Sequence, residues 1–338
     1  MKYNFLGNTG LKVSELCLGT MTFGGGKGIW ANIGDLAQQA VDDIVKRSVD
    51  AGINFIDTAN VYSEGLAEEL TGKAIKNLGL KRDDFVIATK VRGKMGSGPN
   101  EIGLSRKHIM QQVDESLKRL GMDYIDLYQI HGYDALTPME DTIRTMDDLV
   151  KSGKVRYIGC SNITAWQLMK ALAFSGYHNL AKFVSLQAYY TIAGRDLERE
   201  LIPLLNDQKV GLMVWSPLAG GFLSGKYSRS KNPEGARRLN FDFPPVDKEK
   251  AFDIIGVMEP IAQAKNVSVA QIALAWLLHQ PAVTSVIIGA KSNEQLEDNL
   301  KAVDVVLTEY DLQKLNDVSK LTPEYPGWML ERQGADRK

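Results

Sequence analysis

Four residues of this chain could do proton chemistry together. Asp57 stands where the apolar run Ile53–Ile56 stops, and Tyr62 follows five residues later in a polar loop that ends at Gly65. A phenol has an unperturbed pKa of about 10. It donates a proton near neutral pH only where a neighbouring cation or hydrogen bond makes its anion affordable. The rest of the chain must therefore supply a cation, a group to orient a substrate and a cofactor. Lys90 and His131 stand at the ends of two further apolar runs. The competing reading is structural, because Asp-Thr after a strand is a common cap and tyrosines are common in loops. That reading does not predict an aspartate, a lysine and a histidine on three successive strands with a tyrosine just beyond one of them.

The elements that must position these groups repeat as strand, loop, helix. Strand-like runs occur at residues 16–18, 53–56, 85–88, 124–130, 155–159, 183–186, 210–214 and 285–288. The stretches 3–6 and 11–18 flank Gly7-Asn8-Thr9-Gly10, a turn signal that predicts an opening hairpin. Between the runs lie amphipathic patterns. The clearest has Ile109, Val113, Leu117 and Leu120 on one face, Ser105 as cap and Gly121 as stop. Capping boxes are expected at Thr164/Gln167 and Ser268/Gln271. Eight strands alternating with helices predict a (β/α)8 barrel, a TIM barrel, rather than an open doubly wound sheet. Residues 1–338 are expected to form this single domain, with a long, functional loop, Gly220 to Asp247, after strand 7. Barrel active sites gather at the C-terminal strand ends, and adjacent strands lie about 5 Å apart, so these end residues can converge.

Bulk properties exclude other classes. The 338 residues are 44% hydrophobic and 24% charged, and 40 basic against 41 acidic residues leave a net charge of −1. That balance gives no basic surface for nucleic acid and no polybasic membrane patch. No apolar stretch reaches the length of a membrane span and the N-terminus lacks a signal-like run, so a cytoplasmic enzyme is expected. Cys17 and Cys160 lie in apolar runs, and His108, His131, His178 and His279 are too scattered for metal ligation, so no metal is expected. The sequence leaves homo-oligomer formation open.

The successive strand-end motifs are Asp57-Thr58-Ala59 with Tyr62-Ser63-Glu64-Gly65, Ala88-Thr89-Lys90, Gln129-Ile130-His131 and Gly159-Cys160-Ser161-Asn162. Ser185-Leu186-Gln187, Trp215-Ser216-Pro217-Leu218 and Gly289-Ala290-Lys291-Ser292 follow in order. Over nearly the whole chain this series resembles the aldo-keto reductases, and within them the branch of the potassium-channel β subunits and related bacterial enzymes. The resemblance implies NADP(H)-dependent interconversion of a small carbonyl compound and its alcohol. It implies that Tyr62 is the general acid, that Lys90, paired with Asp57, stabilises its phenolate, and that His131 orients the carbonyl. Trp215 would stack on the nicotinamide, and Ser161, Asn162 and Gln187 would bind its carboxamide, with Thr20 and Met21 at the first strand end also beside the cofactor. Ser216, Pro217, Leu218, Gly220 and Lys226 would line the pyrophosphate. Gly289, Lys291, Ser292 and Gln295, with Arg237 from the long loop, would surround the 2′-phosphate, and Asp298 and Asn299 would hold the adenine. Trp30 would contact substrate, as would Tyr62 and His131. Met21, Tyr133 and Tyr190 lie in loops that could also line the pocket, which would suit an apolar or aromatic carbonyl compound.

The 2′-phosphate cluster also stands on its own physics. Lys291 and Ser292 open a helix, whose N-terminus attracts anions, so a cation at 291 favours NADPH over NADH. The plainer alternative is a capping serine beside a surface lysine, and for Arg237-Arg238 it is solvated charge. Gly220 to Lys226 imitates a P-loop, but Tyr227 replaces the Mg²⁺-binding hydroxyl such a loop requires. A regulatory or sensor subunit that binds the cofactor and turns over slowly is the rival function.

Overall fold

The computed structural model describes residues 1–229, 238 and 241–335, Asn32 through its backbone only. The hairpin is β1 (Tyr3–Phe5) and β2 (Lys12–Ser14), paired antiparallel. Eight parallel strands then close a barrel: β3 (Leu16–Gly19), β4 (Phe55–Asp57), β5 (Val86–Val91), β6 (Ile125–Ile130), β7 (Val155–Ser161), β8 (Phe183–Tyr189), β9 (Gly211–Trp215) and β10 (Val283–Ile288). The ring closes where β10 pairs with β3. All eight expected strands are present.

Side-chain direction alternates along a strand, and that period builds the site. Phe55, Ala88, Leu127 and Met213 pack together inside the barrel. Two residues further along their strands stand Asp57, Lys90, Gln129 and Trp215. The apolar plug is thus topped by polar and aromatic side chains pointing the same way. Leu6 and Val13 of the hairpin segment join the inner cluster and cap the barrel's N-terminal end. Gly7 has φ +59°, and a Cβ there would lie 2.2 Å from Val184 O, so the hairpin turn presses on the barrel backbone as only glycine can. A larger apolar layer, including Ile44, Ile109, Ile143 and Trp276, packs the helices onto the outside of the ring.

Caps behave largely as the sequence predicts. Ser105 Oγ accepts from His108 N, and Gly121 ends that helix with left-handed φ +64°. Thr164 and Gln167 form a reciprocal capping box. At Ser268 only half of the expected box exists: Ser268 Oγ accepts from Gln271 N, but the Gln271 amide donates to Asp298 Oδ1 instead. Among the described residues, no single helix is long and apolar enough to cross a membrane.

Candidate active site

The four residues meet at the C-terminal mouth. Lys90 Nζ donates to Asp57 Oδ2 at 2.6 Å, to Thr58 O at 2.8 Å and to the Tyr62 hydroxyl at 3.3 Å, which uses its three donors. The Lys90 and Asp57 side chains are only 0% and 3% exposed. A buried ion pair holds together only when its remaining lone pairs are also satisfied. Gln129 and Gln187 do this, each donating from Nε2 to Asp57 Oδ1 at 3.0 Å. Gln129 stands in the strand-end motif Gln129-Ile130-His131, but motif reading assigns it no role. Its signal is positional, since it stands two residues before His131 and opposite Lys90 in the β5–β6 register.

Tyr62 reaches the pair from a short 3-10 turn, Tyr62–Gly65, in which Ser63 and Glu64 adopt left-handed φ values of 48° and 57°. Ser63 Oγ donates to Phe23 O at 2.9 Å and ties this turn to the loop after β3. The Tyr62 ring meets Trp30 edge-on at 5.9 Å and His131 edge-on at 5.7 Å. Trp30 and His131 therefore form two walls beside the phenol. Tyr190, expected near the pocket, is instead a core residue, with its hydroxyl 2.6 Å from Glu198 Oε1 and its ring against Trp276.

Burial pushes the Tyr62 phenol above its ordinary 10, and Asp57 adds to that, while Lys90 pulls it down without prevailing. The cation at Lys90 thus acts in the expected sense, but burial decides the outcome and the phenol keeps its proton across the neutral range. Burial also opposes the Lys90 ammonium, but Asp57 and Tyr62 outweigh it and hold the group above 10.5. His131 moves the other way. Burial, then the positive charges of Lys90 and Arg92, pull its pKa down to about 3. The mouth therefore presents a protonated phenol, a charged lysine and a neutral imidazole.

A chain of hydrogen bonds runs from His131 to β9. Asn162 Nδ2 donates to His131 O at 3.1 Å and to Ser161 Oγ at 2.9 Å, and Trp215 Nε1 donates to Asn162 Oδ1 at 3.1 Å. The Trp215 indole lies nearly parallel to Phe243, 5.9 Å away. Beyond it the chain turns tightly: Ser216 has φ +50° and its Oγ accepts from Gly220 N at 2.9 Å. Pro217 is buried, Leu218 half-buried and Lys226 exposed. A Cβ on Gly220 would lie 2.4 Å from Phe243 O and 2.9 Å from Arg238 Nη1, so the returning loop sits directly on this turn.

Arg238 is not the solvated charge considered from sequence. It is 6% exposed, and its guanidinium donates to Ala219 O at 2.7 Å and Pro244 O at 2.8 Å, pinning both arms of the long loop together. Arg237 lies outside the described residues. At the β10 end, Ser292 caps helix Asn293–Leu300 and the Gln295 side chain accepts from Lys291 N at 3.0 Å. Asn299 Nδ2 donates to Gly289 O at 3.4 Å. Asp298, expected beside the adenine, has both carboxylate oxygens engaged, by Ser268 Oγ at 2.8 Å and Gln271 Nε2 at 2.7 Å, and lines an outer groove with them. Just past the end of β3, Thr20 Oγ1 is buried and among the described residues finds no partner, while Met21 beside it is partly exposed.

These residues suit an extended dinucleotide: an aromatic face at Trp215, amide and hydroxyl groups at Asn162 and Ser161, an orphaned buried hydroxyl at Thr20, and a capped helix start beside Lys291.

Comparison with known proteins agrees with the geometry. A family model described as the aldo/keto reductase family matches residues 15–320. A probable voltage-gated potassium channel subunit beta of Arabidopsis thaliana is 38% identical, covering 96% of this chain and 99% of that protein. An uncharacterized oxidoreductase, YrpG, of Bacillus subtilis is 37% identical, over 97% of this chain and all 100% of its own. The versiconal hemiacetal acetate reductase of Aspergillus parasiticus is 36% identical, over 97% and 99%. The chain belongs to the aldo/keto reductase family.

Proposed function

We propose that this protein is an NADPH-dependent oxidoreductase that reduces an aldehyde or ketone to the alcohol, with Tyr62 as proton donor. The observation that carries the reading is the buried contact of Lys90 with both Asp57 and the Tyr62 hydroxyl, beside a neutral His131. A neutral imidazole retains one N–H, which donates to the substrate carbonyl oxygen and offsets the negative charge that builds there. When bound, NADPH supplies the hydride that reaches the carbonyl carbon. Tyr62 gives its proton to the same oxygen, and the Lys90 ammonium at 3.3 Å stabilises the phenolate left behind. Asp57 keeps that ammonium charged, and Gln129 and Gln187 keep Asp57 turned toward it. The phenolate then regains a proton from water.

Lys291 and Ser292 at the start of an eight-residue helix support NADPH over NADH, because a 2′-phosphate seeks cations, hydroxyls and helix N-termini. Trp215, Ser161 and Asn162 would hold the nicotinamide end, and Ser216 to Gly220 the pyrophosphate. An absorbance assay of NADPH consumption against aldehydes, ketones and sugars tests the reading. Rapid turnover of at least one carbonyl compound is expected, and inactivity with all of them contradicts it. The likeness to the relative named as a channel subunit favours a second reading, a cofactor-binding regulatory subunit. That reading predicts tight NADPH binding with slow turnover across the same panel.

A further inference from the structure

Arg92 stands one residue beyond the end of β5, near enough to His131 for its charge to help depress the imidazole. Its Nε donates to Tyr133 O at 2.9 Å, and the residue as a whole is exposed. A Cβ built on Gly132 would lie 3.5 Å from Arg92 Cδ and 3.9 Å from Asn162 Cβ, so the arginine lies across the backbone that follows His131. Its backbone has φ +150°, a region that residues other than glycine rarely enter, and Gly103 N holds its carbonyl at 2.9 Å.

A tie between loops needs only the Nε donor. Among the described residues, no hydrogen bond or ion pair engages Nη1 or Nη2. The Asp134 carboxylate feels this charge. Its oxygens are spent on Leu104 N at 2.8 Å, Leu136 N at 3.0 Å and Thr137 Oγ1 at 2.8 Å. Among the reacting groups themselves, Lys90 and Asp57 cancel and His131 is neutral, so Arg92 is the cation beside them, offset in part by the Asp134 carboxylate. A guanidinium offers two parallel N–H donors that match a carboxylate.

We propose that Arg92 determines substrate choice, and that the preferred substrates are carbonyl compounds bearing a carboxylate, which Arg92 grips while Tyr62 and His131 hold the carbonyl oxygen. This rests on the reductase reading and deepens it by naming a substrate class. It adds a carboxylate to the apolar or aromatic carbonyl compound that the loop residues suggest.

The test compares kcat/KM for 3- and 4-carboxybenzaldehyde with that for their neutral methyl esters, using NADPH and the full chain. The better acid is expected to exceed its ester by about tenfold or more through a lower KM. Raising the salt should shrink that ratio in the wild-type protein. Arg92→Gln should bring the ratio to about one, and Arg92→Lys should retain part of it, because a point charge lacks the two-pronged geometry. Ester turnover with no advantage for the acid, or an advantage that survives both salt and Arg92→Gln, overturns this inference and leaves the reductase reading standing. Turnover of neither acid nor ester, with NADPH bound, also overturns this inference, and only inactivity across the wider panel of aldehydes, ketones and sugars overturns the reductase reading.

Discussion

Lys90 Nζ stands 2.6 Å from Asp57 Oδ2 inside a barrel mouth that leaves 0% of the lysine side chain exposed. Removing the carboxylate leaves a buried ammonium without its counter-charge. Asp57→Asn should therefore destabilise the fold by about 3–5 kcal/mol, read as a lowered thermal midpoint. It should also lower the Lys90 pKa. An unchanged midpoint would show that the pair is not buried as described.

Gln129→Leu removes one of the two amides on Asp57 Oδ1 and leaves Gln187 on it. A hydrogen bond to a charged group is worth about 1.5–3 kcal/mol, and the loosened carboxylate should lower kcat about tenfold at a 1.4 kcal/mol cost in the barrier. NADPH affinity should change little, since Gln129 faces the ion pair. Titration of binding beside steady-state kinetics separates the two. Equal losses in both would place Gln129 in the cofactor site instead.

His131 gives a pH prediction. Its folded pKa is depressed to about 3 by burial, Lys90 and Arg92, whereas the unfolded imidazole titrates near its ordinary 6.5. The unfolded chain therefore binds the extra proton first, and this group's contribution to stability is lost as pH falls from about 6.5 toward 3. In the native enzyme the imidazole stays neutral, so kcat/KM should show no inflection from His131 between about pH 5 and 8. Proton NMR of the ring is the direct check, and an observed pKa near 6.5 would contradict the electrostatics above.

The alkaline side has the opposite sign. Lys90 is held above 10.5, so its stabilisation is complete below the unfolded pKa and disappears as pH rises through the folded one. Tyr62 is raised above 10, so the unfolded phenol ionises first and stability again declines upward from there. Both effects should appear as a falling thermal midpoint only above about pH 10.

Much of this was legible in the chain, and the shortfalls share a cause. Apolar runs placed every barrel strand but ended several of them early. The run 85–88 continues in the structure through Thr89, Lys90 and Val91, and 183–186 continues through Gln187 to Tyr189. Polar residues normally mark the end of a buried strand, but here Lys90 and Gln187 lie within the strands that aim them into the barrel mouth. Gln129 stands in a motif of the sequence without a role there, because its contact with Asp57 depends on the facing residues across the register. The acidity of Tyr62 was unreadable in detail, since it turns on how burial weighs against Lys90. Arg238 resembles surface charge in sequence, and only the return of the loop over Gly220 shows it buried.

Lys291→Glu should weaken NADPH binding by about tenfold or more and NADH far less, because an acidic side chain repels the 2′-phosphate that NADH lacks. Fluorescence titration with both cofactors measures this, and equal losses would remove Lys291 from the proposed site.

The most direct test of the account is Tyr62→Phe, measured as single-turnover NADPH oxidation with a carbonyl compound that the wild-type protein reduces. Loss of the proton donor should slow the reaction by about 10²-fold or more, with the NADPH dissociation constant within about twofold of wild type. A variant that turns over at the wild-type rate would contradict the assignment of Tyr62 as the acid, and with it the chemistry proposed for the Asp57–Lys90 pair.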